Sequence, residues 1–169
     1  LANASDTPPV LDWSPDDVYL LYTGGTTGMP KGVIWRQADS VIAQLAGRHN
    51  DGTILNSLEE FAERASAGRG LKIMPTSPYM HGAGSYVAFA ALNGGNTVIM
   101  QSEVERLNAA DVLETIDREG VNFLLLIGDA FGRPLVSEAR SGQFSLDTVR
   151  IIFNTGAMLS EAVKRGLLE

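Results

Sequence analysis

Cysteine is absent from all 169 residues, which removes disulfides, thiolate metal sites and a cysteine nucleophile from consideration. No apolar run approaches the roughly 18 residues that a membrane-spanning helix needs, and no signal peptide opens the chain. Basic residues are the minority. Lys and Arg number 13 against 20 Asp and Glu, and the resulting net charge of −7 argues against nucleic acid as a partner. An anionic ligand would have to be gripped by local donors, because the overall field repels it. The G-x-S-x-G nucleophile elbow does not occur, so no Ser-His-Asp hydrolase is indicated. Internal repeats and low-complexity tracts are also missing. What is present, 44% hydrophobic residues, suffices for one core of ordinary size and suits a soluble, cytoplasmic protein.

The most informative stretch is Tyr22-Thr23-Gly24-Gly25-Thr26-Thr27-Gly28-Met29-Pro30-Lys31-Gly32-Val33. Its glycines permit positive φ and let backbone N–H groups turn toward an anion, its threonines add hydroxyl donors, and Lys31 supplies a mobile charge. That combination suits a triphosphate. A Walker loop would require Ser or Thr after the lysine, where Gly32 stands, and a dinucleotide fingerprint would open a helix. Here the β-branched and aromatic run Val33-Ile34-Trp35 follows, so the loop joins two strands, Val18 to Tyr22 and Gly32 to Trp35. A ligand-free glycine hairpin would need one or two glycines but no Thr-Thr pair backed by a lysine.

This segment resembles the signature loop of the adenylate-forming, AMP-binding superfamily of acyl-CoA synthetases, luciferases and peptide-synthetase adenylation domains, whose common form is Y-T-S-G-T-T-G-x-P-K-G-V. One position departs from it: Gly24 stands where most members carry serine, and Gly25 keeps the form's own glycine. The glycine form, with Trp35 after it, is similar to bacterial long-chain and steroid side-chain CoA ligases. The likeness extends along nearly the whole chain except around His49 to Gly70.

Beyond the loop, the pattern predicts a helix from about Gln37 to Arg48, a polar excursion over 49–70, a strand at Leu71 to Met74, and a buried, Ala-rich helix within Met80 to Asn93. A strand follows at Thr97 to Met100. Asn108 can cap the next helix, with Asp111 reaching back and Gly120 as its stop. Val121 to Ile127, apolar apart from Asn122, reads as a strand, Ala130 to Arg140 as a helix, Val149 to Phe153 as a strand, and Ser160 as the cap of a final helix. Such alternation predicts an α/β fold, a parallel or mixed sheet covered by helices. The resemblance makes this part of the large N-terminal domain of an acyl-CoA synthetase-like fold, in which residues 1–169 form a single piece with a polar arm at 1–13. The absence of an initiator methionine and an end inside a helix suggest a cut piece, lacking the C-terminal lid domain.

Ligands in such folds sit beyond the carboxyl ends of the strands. After the strand at Leu71 to Met74, the segment Pro78-Tyr79-Met80-His81-Gly82-Ala83-Gly84 resembles the superfamily's P-x-x-H-x-x-G motif, in which the histidine lies beside the carboxylate and the acyl pocket. An imidazole at a helix entry can donate to a carboxylate, although a lone histidine can equally be a packing or capping residue. After the strand at Val149 to Phe153 comes Asn154-Thr155-Gly156-Ala157-Met158-Leu159-Ser160, where most relatives have G-A-P-L-S and place small residues against adenine. Met158 replaces the proline. An ordinary strand-to-helix turn is compatible with the same residues. Gly128-Asp129-Ala130-Phe131 resembles a segment near the acyl site of steroid and long-chain ligases, and its loop should border the crevice; Asp129 reads as a cap and not as a metal ligand. Glu59, Glu60, Glu63 and Arg64 read as a solvated helical face, His49 to Gly52 as a polar turn, and Asp16 and Asp17 as shaping the first strand's entry.

The resemblance implies a carboxylate attacking the α-phosphorus of ATP to give an acyl-adenylate and pyrophosphate, then thioester formation with coenzyme A. Thr23, Gly24, Gly25, Thr26, Thr27, Gly28 and Lys31 would hold the β- and γ-phosphates, His81 would orient the carboxylate, and Gly156, Ala157 and Met158 would face adenine. Mg2+ is expected between the phosphates, and no residue here is assigned as its ligand. The acid would be a long-chain fatty acid or a steroid side chain, with Tyr79, Met80, Tyr86, Phe89 and Phe131 offering apolar surface. The superfamily's Y-G-x-T-E segment, its ribose-binding Asp and its lid lysine find no match, so the chain alone should not turn over. Two other readings stay open: a fatty-acyl-AMP ligase or adenylation domain serving a carrier protein, and a noncatalytic nucleotide-binding domain. Oligomeric state is not legible.

Overall fold

The computed structural model describes residues 7, 10–23 and 28–169. They divide into two compact units, Leu1–Val41 and Ile42–Glu169.

The first unit is built on an antiparallel pair, β1 (Val18–Thr23) and β2 (Lys31–Arg36), followed directly by helix α1 (Gln37–Gln44). The register runs from Val18 opposite Arg36 to Thr23 opposite Lys31. Asp16 and Asp17 do shape the entry. The Asp17 carboxylate accepts the Ser14 N–H at 3.0 Å, and Asp16 accepts Arg36 Nε at 2.9 Å, which ties the start of β1 to the end of β2. The helix is shorter than its sequence pattern. Ala46 has a φ of 65°, which ends regular helix, and Arg48 pairs with Ile54 across the turn that contains His49 to Gly52.

The second unit is a four-stranded sheet in the order β4-β3-β5-β6, parallel throughout: β3 (Lys72–Pro75), β4 (Thr97–Val98), β5 (Phe123–Leu126) and β6 (Ile151–Asn154). The helices are α2 (Leu58–Ser66), α3 (Gly82–Asn93), α4 (Ala109–Glu119), α5 (Gly128–Ala139) and α6 (Glu161–Gly166). Parallel strands covered on both faces must be apolar at successive positions, and β5 is: Leu124, Leu125 and Leu126 are all buried. Leu124 and Leu126 lie in one cluster with Met74, with Val112, Leu113 and Ile116 of α4, and with Leu135 of α5. Leu125, on the alternate position, is buried on the opposite face. Each such leucine contributes about 1.5–3 kcal/mol relative to exposure, so this core outweighs any surface ion pair in holding the sheet.

Local signals explain most boundaries. Asn108 accepts the Asp111 N–H at 3.3 Å as the cap of α4, and Gly120 ends that helix at a φ of 67°. Asp111 does not reach back to its cap. Its carboxylate accepts the N–H groups of Ser102 and Glu103, pinning the preceding loop, a choice only tertiary packing could make. The 49–70 excursion contains α2, capped by Ser57 on the Glu60 N–H at 3.2 Å, while the Glu60 carboxylate accepts the Asn56 N–H at 2.6 Å. The strand expected at Thr97 to Met100 is only Thr97–Val98, paired with Lys72 and Ile73 of β3, and the Ile99 N–H adds one further bond to the Ile73 carbonyl at 2.8 Å.

Candidate functional site

In the first unit, the described residues flank the glycine- and threonine-rich segment. Gly24, Gly25, Thr26 and Thr27 lie outside the described residues; Thr23, Gly28 and Lys31 lie within them. The frame is firm at its base. Thr23 and Lys31 are the last paired residues of the ribbon, and Thr23 Oγ1 donates to the Lys31 carbonyl at 3.2 Å. Two-residue turns suffice for a hairpin, whereas here seven positions, 24–30, separate the strands. Lys31 and Gly28 are exposed.

The second unit gathers the other sequence-derived residues at one edge of its sheet. Pro75 of β3 pairs with Leu125, Leu125 with Phe153, and Leu126 with Asn154, so three adjacent parallel strands end nearly in register. The segments leaving those ends are Thr76 to His81, Ile127 to Asp129, and Thr155 to Ser160. Thr76 is buried and donates through Oγ1 to the Leu125 carbonyl at 2.6 Å, which fixes the first of these segments to its neighbouring strand.

His81 is the N-cap residue of α3, with extended φ and ψ of −96° and 147°, and its side chain makes no capping bond. Its backbone N–H donates to the Pro78 carbonyl at 3.0 Å. The imidazole is thus exposed and uncommitted to the helix, held at its entry by the backbone alone. The last glycine of the P-x-x-H-x-x-G pattern has a steric reason. A Cβ at Gly84 would lie 2.6 Å from the Ser77 carbonyl oxygen and 2.7 Å from that of Pro78, so any side chain would push the His81 turn off the helix.

The Gly128 segment is not a loop, as expected from sequence, but the first turn of α5. Gly128 has a φ of +60°, and a Cβ there would stand 2.7 Å from Ala157 Cβ and from the Met158 carbonyl oxygen. The turn is bonded to the segment after β6. Gly128 N–H donates to Asn154 Oδ1 at 2.7 Å, and Asp129 N–H to the Met158 carbonyl at 3.0 Å. Asn154 Nδ2 donates to the Ala157 carbonyl at 2.9 Å. Asp129 is a cap, but chiefly of the next helix: Oδ1 accepts the Ser160 N–H at 2.7 Å and Oδ2 accepts Arg133 Nη2 at 2.6 Å. The Ser160 N–H, then Arg133, hold its carboxyl below the ordinary 3.8. The Ser160 hydroxyl makes no capping bond to its own helix, contrary to the sequence expectation. Gly156, Ala157 and Met158 are left as an exposed shelf of mostly small residues, with Gly156 at a φ of +74°. Asn154 belongs to none of the sequence motifs that mark the site. Its signal was a polar, two-way hydrogen-bonding side chain at the last position of an otherwise apolar strand.

An open cavity of about 490 Å3 lies on the first of these segments, and Tyr79, Met80, Met100, Leu107 and Phe131 are among its lining residues. Tyr79, Met80 and Phe131 thus share one apolar hollow, while Tyr86 and Phe89 do not line it. Burial pushes the Tyr79 phenol above 10. A second cavity, of about 530 Å3, is polar and touches Leu71 and Asn96, at the amino ends of β3 and β4. Among the described residues, no group of three or more His, Cys, Asp or Glu side chains is placed to hold a metal ion.

Residues 2–169 match the family described as AMP-binding enzyme. The chain belongs to that family. Its curated relatives include a medium-chain acyl-CoA ligase, Mig, of Mycobacterium avium, 42% identical over all of this chain and 31% of the relative. A 3-oxocholest-4-en-26-oate–CoA ligase of Rhodococcus rhodochrous is 33% identical, again over 100% of the chain and 31% of that protein. This AMP-binding chain therefore spans about a third of the length of the curated relatives it matches. Among solved structures, the N-terminal domain of FACL13 from Mycobacterium tuberculosis superposes with a TM-score of 0.70 at 20% identity, covering 99% of this chain and 38% of that one. The α/β fold with a parallel sheet is shared with that N-terminal domain.

Proposed function

We propose that this chain is part of an ATP-dependent acyl-CoA synthetase, which joins a fatty acid or a steroid side-chain carboxylate to coenzyme A through an acyl-adenylate, releasing AMP and pyrophosphate. The observation that carries the reading is the gathering of the His81 turn, the Gly128 turn and the Gly156 to Met158 shelf at the carboxyl ends of three adjacent parallel strands, where α/β folds bind ligands. Relatives named as acyl-CoA ligases support it.

The first chemical step brings two anions together, so the protein must supply alignment and charge neutralisation. Thr23, Gly24, Gly25, Thr26, Thr27, Gly28 and Lys31 act on the β- and γ-phosphates in this reading, with Lys31 offsetting the charge that builds on departing pyrophosphate. His81, whose ring is exposed and makes no capping bond, donates to the carboxylate and orients its oxygen toward the α-phosphorus. Gly156, Ala157 and Met158 present a flat surface to adenine. The hollow lined by Tyr79, Met80 and Phe131 is a candidate acyl surface. Magnesium, bound with ATP, would neutralise phosphate charge; the described residues gather no carboxylate or imidazole cluster for it, and none is assigned as its ligand. ATP and coenzyme A as co-substrates suit a cytoplasmic enzyme. In this reading the chain is one piece of a large N-terminal domain, and the ribose-binding Asp and lid lysine belong to other parts of a longer protein.

The test is carboxylate-dependent ATP–pyrophosphate exchange by the full-length protein across medium-chain, long-chain and steroid side-chain acids. Lys31→Ala and His81→Ala are expected to lower exchange by about 10²-fold or more, the scale of losing one charge-stabilising or orienting group. Release of AMP that requires coenzyme A would identify the acceptor. Absence of exchange with every acid, in folded protein, would overturn the reading.

A further inference from the structure

Two helices in the second unit cap each other through the shelf between them. The first-turn N–H groups of α5 find no cap in the residue before them, Ile127, whose side chain makes no such bond. They are satisfied instead from the segment after β6: Gly128 N–H by Asn154 Oδ1 at 2.7 Å, and Asp129 N–H by the Met158 carbonyl at 3.0 Å. In return, the Asp129 carboxylate accepts the Ser160 N–H that opens α6, at 2.7 Å. Asn154 closes the segment on itself by donating to the Ala157 carbonyl at 2.9 Å. All three shelf residues, Gly156 to Met158, fall between these anchor points. The contact is close enough that a methyl group at Gly128 would collide with Ala157 and with the Met158 carbonyl.

Unsatisfied helix-start N–H groups must find acceptors, and a turn of small residues has little packing to hold its shape. The two requirements are met by the same bonds. We infer that Asn154 and Asp129 are positioning residues: they lock the Gly156 to Met158 shelf in one conformation and so set the affinity for the adenine of ATP. The inference rests on the adenylation reading above and deepens it. The same turn carries Phe131, which lines the apolar cavity, so the lock also joins the nucleotide side of the sheet edge to the hollow beside it. Both act through backbone groups: Asn154 through the Ala157 carbonyl within the shelf, and Asp129 through the Ser160 N–H that follows it.

The experiment is ATP–pyrophosphate exchange by the full-length protein with Asn154→Ala and Asp129→Ala, each compared with Arg140→Ala, which removes only an exposed ion pair to Glu169. Loss of a hydrogen-bonded anchor is expected to raise the KM for ATP about three- to tenfold in either variant. The KM for the carboxylic acid should move less than twofold and kcat less than threefold. Backbone amide exchange supplies a readout independent of turnover. The Gly128 and Asp129 amides should lose protection in Asn154→Ala while Leu124 to Leu126 keep theirs. If one variant does not fold, the other decides. An ATP KM within twofold of wild type in folded variants, or a loss confined to kcat, overturns the positioning role alone. Wild-type protein that exchanges with no acid overturns the adenylation reading and this inference with it.

Discussion

Replacing Gly128 by alanine separates two costs that usually come together. The residue sits at a φ of +60°, where an L-side chain is strained by about 1–2 kcal/mol. Its Cβ would also lie 2.7 Å from both Ala157 Cβ and the Met158 carbonyl oxygen, well inside contact distance. Neither neighbour can retreat freely, because Met158 O accepts the Asp129 N–H and Ala157 O accepts Asn154 Nδ2. Overpacking of this kind costs about 1–3 kcal/mol. Gly142 supplies the control: its φ is +69°, but nothing lies within 4 Å of a Cβ built there. Gly142→Ala should therefore lose about 1–2 kcal/mol through strain alone, and Gly128→Ala about 2–5 kcal/mol through strain plus collision. Paired urea melts of the full-length protein, compared by midpoint at constant slope, measure the difference. A Gly128→Ala protein within about 0.5 kcal/mol of Gly142→Ala would refute the claim that the shelf is held rigidly against α5, since a shelf that yields relieves the collision. The ATP KM in pyrophosphate exchange should rise for Gly128→Ala and stay unchanged for Gly142→Ala.

Leu126→Ala empties the centre of a core in which the leucine is fully buried, and should destabilise by about 2–5 kcal/mol in the same urea assay. Ser57→Ala removes the acceptor for the Glu60 N–H and should cost about 0.5–2 kcal/mol, read as increased amide exchange in the first turn of α2. Asp129 has its folded pKa lowered from 3.8, first by the Ser160 N–H, so its contribution is complete above 3.8 and is lost as pH falls through the lower folded value. Wild-type protein should consequently be more stable than Asp129→Asn at neutral pH, the difference shrinking below about pH 4 in thermal melts; a gap that stays constant down to pH 2 would contradict the assignment.

What could be read without coordinates was local. That the segment between Thr23 and Lys31 joins two strands was legible, because β-branched and aromatic residues flank it on both sides. Asn108 and Gly120 bracket α4 because cap and stop are decided within a turn of the helix end. The leucines of β5 announced a strand buried on both faces, since only a covered parallel sheet tolerates them at successive positions. The likeness to AMP-binding enzymes was carried by such contiguous motifs, and so it too lay in the sequence alone.

Pairing between distant segments was not legible. Asp129, Ser160 and Asp111 all looked like caps of their own helices, yet Asp129 serves the Ser160 N–H, and Asp111 serves the loop at Ser102 and Glu103. Gly128 and Gly84 gave no hint of which backbone they admit. Asn154 carried no motif value, but holds two segments at once because β5 and β6 end side by side. A side chain's short-range options follow from its own chemistry and its neighbours in sequence. Which option it takes depends on which backbone groups the strand order brings within about 3 Å, and hydrogen bonds are decided at that distance.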